Sequence, residues 1–393
     1  NQIRSLVAFD NPIFYKNNRL GYSNWNQPMV VYMGRDVNDY IKIPRGLMEK
    51  IVEKCSQANI LYEVVDKRER GKPIDVEFKG QLKNNQVIAE KELLKYDNGI
   101  LNATTAFGKT VIAAWLIAQR QVNTLILVHR KQLQEQWIER LSTFLDVPVK
   151  MIGRIGGGRK KPKGLLDVAL IQSLVRKGVV DDVVGQYGNL IIDECHHLPA
   201  QSFEQVTRQA KAKYITGLTA TLRRKDGHHP IVTMQCGPVR YSVNAKEQAA
   251  ARPFEHTVLV RPTAFIPLKP ANADARLQFN DLYDELVHDT VRNQLICEEV
   301  LKSVQNGRSP VVLTERNEHL DLLSNRLAPH IQNLIVLRGG MSAKEIAQIS
   351  SRLATIPEDE DRVLLATGRY IGEGFDDARL DTLFLTLPIS WQG

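Results

Sequence analysis

The chain has 393 residues, with 52 Lys and Arg against 44 Asp and Glu for a net charge of +8, 43% hydrophobic and 24% charged. That is the composition of an ordinary globular protein of two or three domains; it excludes collagen-like and low-complexity chains, and no apolar run approaches a membrane span. The basic excess favours a polyanionic partner.

In chain order, residues 1–70 hold apolar runs at 29–33, 40–43 and 60–65, and residues 47–58 carry apolar side chains at helical spacing. A small ββαβ unit is expected there. The first 25 residues place Phe9, Phe14, Tyr15, Tyr22 and Trp25 among Lys16 and Arg19, either as a nucleic-acid surface with stacking aromatics or, the preferred reading, as the core of an irregular segment. A charged Gly/Pro stretch at 67–73 reads as a boundary.

A short apolar run at 99–102 then enters Ala103-Thr104-Thr105-Ala106-Phe107-Gly108-Lys109-Thr110 and an apolar helix start. Strand, tight loop and helix start make a phosphate loop: backbone N–H groups face the phosphates of ATP, Lys109 reaches the β and γ oxygens, and the Thr110 hydroxyl ligates Mg²⁺. The usual first glycine is Ala103 here, and a solvated strand-to-helix turn is the plain alternative. Strands at 124–128, 167–171, 190–192 and 214–218 alternate with amphipathic segments such as Leu133/Trp137/Leu141/Phe144. This α/β pattern implies a parallel sheet covered on both faces, with ligands at the carboxyl ends of its strands. One of those ends carries Asp193 and Glu194, adjacent acids of which the first holds Mg²⁺ and the second orients water.

The densest basic stretch, Gly156-Gly157-Gly158-Arg159-Lys160-Lys161, reads as a loop that is either solvated or phosphate-binding. Residues 244–275 read as a connector with a strand at 256–260. From 276 a second alternating set begins, with strands at 311–314, 334–337, 363–366 and 382–385. Cys55, Cys195, Cys236 and Cys297 lie too far apart for a zinc or disulfide framework, so reduced thiols in a cytoplasmic protein are expected, and the N-terminus has no signal-peptide pattern. A chain that starts at Asn1 reads as a fragment or a processed product.

Asp193-Glu194-Cys195-His196 together with Thr219-Ala220-Thr221 resembles the superfamily 2 helicases and translocases, whose phosphate loop often begins with Ala. The likeness extends along most of the chain. Gln86 resembles the glutamine that reads adenine; Val128-His129-Arg130 and Ile171-Gln172-Ser173 resemble strand-contacting motifs of a first motor domain. The run from Thr367 and Gly368 to Glu373 and Asp376 resembles the motif of the second domain that faces ATP and nucleic acid.

The resemblance implies two RecA-like parallel-sheet motor domains, over 71–243 and, incompletely, 276–393, joined by the connector. A small α+β accessory domain at 1–70 precedes them and resembles the duplex-engaging unit of the xeroderma pigmentosum group B-like branch. It implies an ATP hydrolase in which Lys109 serves phosphate, Asp193 and Thr110 hold Mg²⁺, and Glu194 is the base. His196, Thr219, Ala220 and Thr221 would couple nucleotide state to a nucleic acid, double-stranded DNA by the branch, touched by His129, Arg130, Gln172, Ser173, Arg159, Lys160, Lys161, Arg224, Thr367 and Gly368. The branch's Arg-Glu-Asp is Arg224-Lys225-Asp226 here, a departure at the acid.

A motor subunit of a restriction, defence or repair complex would share these motifs; a non-enzymatic nucleic-acid-binding module is the other alternative. A monomer is expected. The family continues past Asp376, through a strand, to a helix whose arginines reach ATP. This sequence stops at Gly393 before it, so the chain alone is expected to bind Mg·ATP and hydrolyse it poorly.

Overall fold

The computed structural model describes residues 2–104, 107–197, 201–222, 226–243, 257–267, 275–368, 377 and 379–388. They fall into two units, Asn1–Glu255 and His256–Gly393.

The first unit begins with four short strands, β1 (Ala8–Asp10), β2 (Val30–Tyr32), β3 (Arg35–Val37) and β4 (Tyr40–Lys42), paired antiparallel as β1–β2 and β3–β4. The expected helix forms over Met48–Gln57. The expected strand at 60–65 does not: these residues are irregular, with Leu61 fully exposed and Val65 66% exposed. Their β-prone side chains meet no partner strand, and propensity without a ladder does not make a strand. This N-terminal segment is fastened to the rest of the unit through Val7, Met33 and Leu47, which pack on Ile231 and Met234, and through Arg45, which donates to the carbonyl of Ala212 at 2.6 Å.

Eight strands then form one sheet: β5 (Asn98–Asn102), β6 (Thr124–Val128), β7 (Ile152–Gly156), β8 (Arg159–Lys161), β9 (Leu166–Leu170), and, after a small hairpin of β10 (Val175–Arg176) and β11 (Val179–Val180), β12 (Asn189–Ile192), β13 (Tyr214–Thr219) and β14 (Val239–Ser242). Their spatial order is β14-β5-β13-β12-β6-β9-β7-β8, parallel throughout except for β8. Strands β6 and β12 are buried at every residue, as a sheet covered on both faces requires. In the helix Lys131–Leu145 the residues Leu133, Trp137 and Leu141, four apart, face this core.

At the amino ends of the strands the buried Asn123 side chain ties three loops. Its amide oxygen accepts from Lys72 N at 2.9 Å and Gly188 N at 3.0 Å, and its NH₂ donates to the carbonyls of Gly164 and Gln186. All its hydrogen-bonding capacity is used, which is what burial of an amide demands. The basic stretch is not a loop: β7 and β8 form a hairpin turning through Gly157 and Gly158, both with positive φ, so its side chains alternate between faces.

The second unit carries β15 (Pro310–Thr314), β16 (Asn333–Leu337), β17 (Arg362–Thr367) and β18 (Thr382–Leu385), all parallel in the order β16-β17-β15-β18. The helices Thr290–Gln305 and Asn317–Leu327 bury Val300, Val304, Leu320 and Leu323 against it. Residues 257–260, within the strand expected in the connector, are irregular and exposed, again for lack of a ladder partner.

His319 is fully buried between the sheet and the helix Thr290–Gln305. Asn293 donates through its NH₂ to Val287 O at 2.7 Å, so its oxygen accepts from His319 Nε2–H at 2.8 Å, leaving Nδ1 to accept from the Thr314 hydroxyl at 2.9 Å. That network holds the neutral imidazole, and burial, with Arg292 and His288 adding, pushes its pKa down to about 4. The unfolded state therefore binds a proton that the native state refuses between the ordinary histidine value and about pH 4. Stability from this site is complete above the unfolded value and is lost as pH falls; the second unit should lose about 3 kcal/mol between pH 7 and 4. Denaturant melts of His319→Gln across that range should show a flatter pH dependence than the parent; parallel curves would remove His319 as the cause.

Candidate ATP site and nucleic-acid surface

Strands β5 and β12 flank β13 and run parallel to it, so the loop after β5, the acids after β12 and the threonines ending β13 meet at the carboxyl end of the sheet. Ala103 N donates to Thr219 O at 2.9 Å, tying the start of the loop to β13. Gly108 adopts φ +87 and caps the helix Lys109–Arg120; a Cβ there would lie 2.4 Å from Gln86 Nε2. Only glycine fits this close approach. Gln86 is buried and supports the loop: its oxygen accepts from Lys83 N at 2.8 Å and its NH₂ donates to Phe107 O at 2.7 Å. Lys109 leads this helix, whose first turn offers backbone N–H groups and a positive dipole end to an anion. Its Nζ donates to Ala103 O at 3.1 Å and lies 3.6 Å from Glu194 Oε1. Thr110 follows in the same turn.

Asp193 is 7% exposed and accepts from the Trp137 indole N–H at 2.7 Å. Burial, and next the charge of Glu194, push its pKa up to about 6, against the opposing pull of Trp137 and Lys109. A carboxylate so placed gains from a cation that replaces its lost hydration. Glu194 sits at φ +46, a left-handed conformation that costs a non-glycine residue of order 1–2 kcal/mol; Glu194 N donates to Asp193 Oδ1 and His197 N to Glu194 O. The turn aims the Glu194 carboxylate back over the loop, toward Lys109 on one side and His196 on the other.

His196 Nδ1 lies 3.2 Å from Glu194 Oε2 and 3.0 Å from Thr219 Oγ1. The Thr219 hydroxyl donates to Thr221 O and accepts from Thr221 N, both at 3.1 Å, so the Nδ1 proton of His196 is shared between Thr219 and Glu194. Ala220 lies between the two threonines. The His196 ring stands 4.2 Å from His197, and His197 stands 4.4 Å from His129 at the end of β6. Three imidazoles thus run from the acid at the loop to the predicted strand-contacting surface. There Gln172 donates to His129 O at 3.1 Å, placing Gln172 and Ser173 beside His129 and Arg130.

The structure therefore brings together Gln86, Lys109, Thr110, Asp193, Glu194, His196, Thr219 and Thr221. Thr104 lies in the described part of the loop; Thr105, Ala106, Arg224, Glu373 and Asp376 lie outside the described residues, as does the side chain of Arg159. Thr367 ends β17 in the second unit, where Gly368 N donates to Thr314 O at 3.0 Å. Lys160 is engaged by Asp181. Sequence reasoning missed the role of Trp137, whose helical spacing marked it only as core. It also misplaced the aromatics: Trp25 is 91% and Tyr22 60% exposed, while only Phe9 of the group packs on the apolar cluster around Val7. Among the described residues no group of three or more His, Cys, Asp and Glu side chains could hold a metal. Among them, too, no helix is long and apolar enough to cross a membrane.

Residues 51–224 match the family described as type III restriction enzyme, res subunit. The chain is 25% identical over 366 residues to a protein of Acanthamoeba polyphaga mimivirus provisionally named ATP-dependent RNA helicase L396, covering 89% of this chain and 66% of that protein. It is 33% identical over 174 residues to the DNA 3'-5' translocase XPB2 of Sulfurisphaera tokodaii, covering 44% of this chain and 38% of that one. Among solved structures, S. cerevisiae Dbp5 bound to RNA and ADP BeF3 aligns with 78% of this chain and 75% of its own at a TM-score of 0.53 and 12% identity, a likeness of fold alone. With the Asp193–His196 box seated against the loop that ends in Lys109, these likenesses support a superfamily 2 helicase of the branch shared by the res subunits and the XPB-like proteins.

Proposed function

We propose that the chain is an ATP-hydrolysing motor that moves along duplex DNA. The observation that carries this reading is the continuous set of contacts from Lys109 through Glu194 and His196 to Thr219 and Thr221, which joins a phosphate-binding lysine to the end of β13. The donor set fits Mg·ATP. The Gly108 cradle and the following helix start would receive phosphate, Lys109 would neutralise it, and Asp193 with the Thr110 hydroxyl would hold Mg²⁺. Bound Mg²⁺ would neutralise charge that develops on the transferred phosphoryl group.

Glu194 would orient water and accept its proton as the general base. Because His196 shares its Nδ1 proton between Glu194 and Thr219, a change in the charge of Glu194 shifts that proton's preference, and the His196–His197–His129 contacts carry the change toward the DNA-facing end of β6. Thr367 and Gly368, at the end of β17 in the second unit, would contact nucleic acid, and residues 1–70 would engage the duplex. The res-subunit match favours a second setting for the same motor, within a restriction or defence complex.

ATP turnover measured with duplex DNA, single-stranded DNA and RNA at equal nucleotide concentration tests the reading. Duplex should stimulate most; strongest stimulation by RNA would replace the duplex assignment. Trp137→Phe keeps the packing and removes the indole N–H from Asp193. Loss of such an outer-shell partner should weaken Mg²⁺ affinity roughly 10- to 100-fold, seen as a higher Mg²⁺ midpoint for ATP binding with duplex affinity unchanged. An unmoved midpoint would detach Asp193 from the metal.

A further inference from the structure

The β7–β8 hairpin forms the outer edge of the first unit's sheet. Arg154 and Lys161 are direct cross-strand partners and therefore share a face. Like charges set opposite each other destabilise a ladder, and here nothing among the described residues relieves them: the recess they line is completed by Val149, Lys150, Ile152 and Lys163 and contains no acid. Three carboxylates around the hairpin are otherwise committed. Glu135, lining the neighbouring recess with Arg154, pairs with Lys131 at 3.8 Å, and Asp181 holds Lys160 on the opposite face. Asp167 also faces away, accepting from the backbone N–H groups of Lys163 and Gly164 at 2.7 Å.

We infer that Lys150, Arg154, Lys161 and Lys163 form a second nucleic-acid site, a phosphate track along the sheet edge that takes the sugar–phosphate backbone of duplex leaving the motif-bearing strand ends. The inference rests on the proposed nucleic-acid motor and deepens it. The hairpin's glycine turn links the two surfaces: a Cβ on Gly156 would lie 2.6 Å from Ser173 Oγ and one on Gly157 would lie 3.7 Å from Lys131. Five residues of β7 span about 16 Å, which is roughly five phosphates along one strand of DNA. Strand alternation also divides the basic run identified in the sequence: Lys161 faces this track, whereas Lys160 turns to Asp181.

Duplexes of increasing length, titrated over 50–200 mM salt, test the site. Arg154→Gln/Lys161→Gln/Lys163→Gln should lower the slope of log affinity against log salt by about 2 to 3, since each phosphate contact contributes about 0.9. Its affinity should also stop rising at a shorter duplex length than the parent's. Lys161→Glu separates binding from folding, because it supplies Arg154 with a cross-strand partner: the melting temperature should hold or rise while long-duplex affinity falls. If the parent binds duplex yet the triple variant reproduces its slope and length dependence, the track is wrong. If the parent itself shows no salt-dependent duplex binding, the proposed function fails and the track falls with it.

Discussion

Lys109→Ala should lower ATP turnover by roughly 10² to 10³ or more, the loss seen when a single preorganised charge or donor is removed from a transition state. The effect is local by construction. Among the described residues Lys109 Nζ meets the carbonyl of Ala103 and the carboxylate of Glu194, so its removal leaves β5, the following helix and the hairpin edge in place. Duplex affinity in the absence of ATP should therefore stay within about twofold, because the proposed phosphate contacts to DNA lie elsewhere. ATP affinity should fall together with turnover. Unchanged turnover in this variant would overturn the site assignment.

Glu194→Gln should behave differently. Glutamine keeps the length of the side chain and an oxygen that can accept from His196 Nδ1, now 3.2 Å away, and it needs no backbone change at φ +46. What it loses is the base, worth about 10² to 10⁴ in rate. Mg·ATP should remain bound while hydrolysis stops. Pre-steady-state ATP binding followed by single-turnover hydrolysis separates the two variants, and an equal loss of ATP affinity in both would contradict the division of roles between Lys109 and Glu194.

The parallel sheets were legible because continuous apolar runs such as Thr124–Val128 and Asn189–Ile192 allow little else between amphipathic helices, and the loop and acid pair were legible because their chemistry dictates residue types at fixed places. Three features were not. Residues 60–65 have the composition of a strand, yet a strand exists only with a partner, and partner availability is a tertiary fact. The basic run at 156–161 gives no period of its own, so its hairpin depended on Gly157 and Gly158 turning to positive φ. Trp137 carried the spacing of a core residue and is one, at 2% exposure; that its single polar atom meets Asp193 follows only from the packing of the helix Lys131–Leu145 on β9 and β6, which brings the indole to the acid after β12.

The proposed motor couples hydrolysis at Lys109 and Glu194 to movement on DNA. Displacement of a third strand from a triplex placed on duplex DNA reports such movement without requiring the duplex to be opened. The parent chain should release the third strand with ATP and not with a non-hydrolysable analogue, and Glu194→Gln should release none while still binding the duplex. Release at equal rates with ATP, with the analogue and with Glu194→Gln would contradict the account.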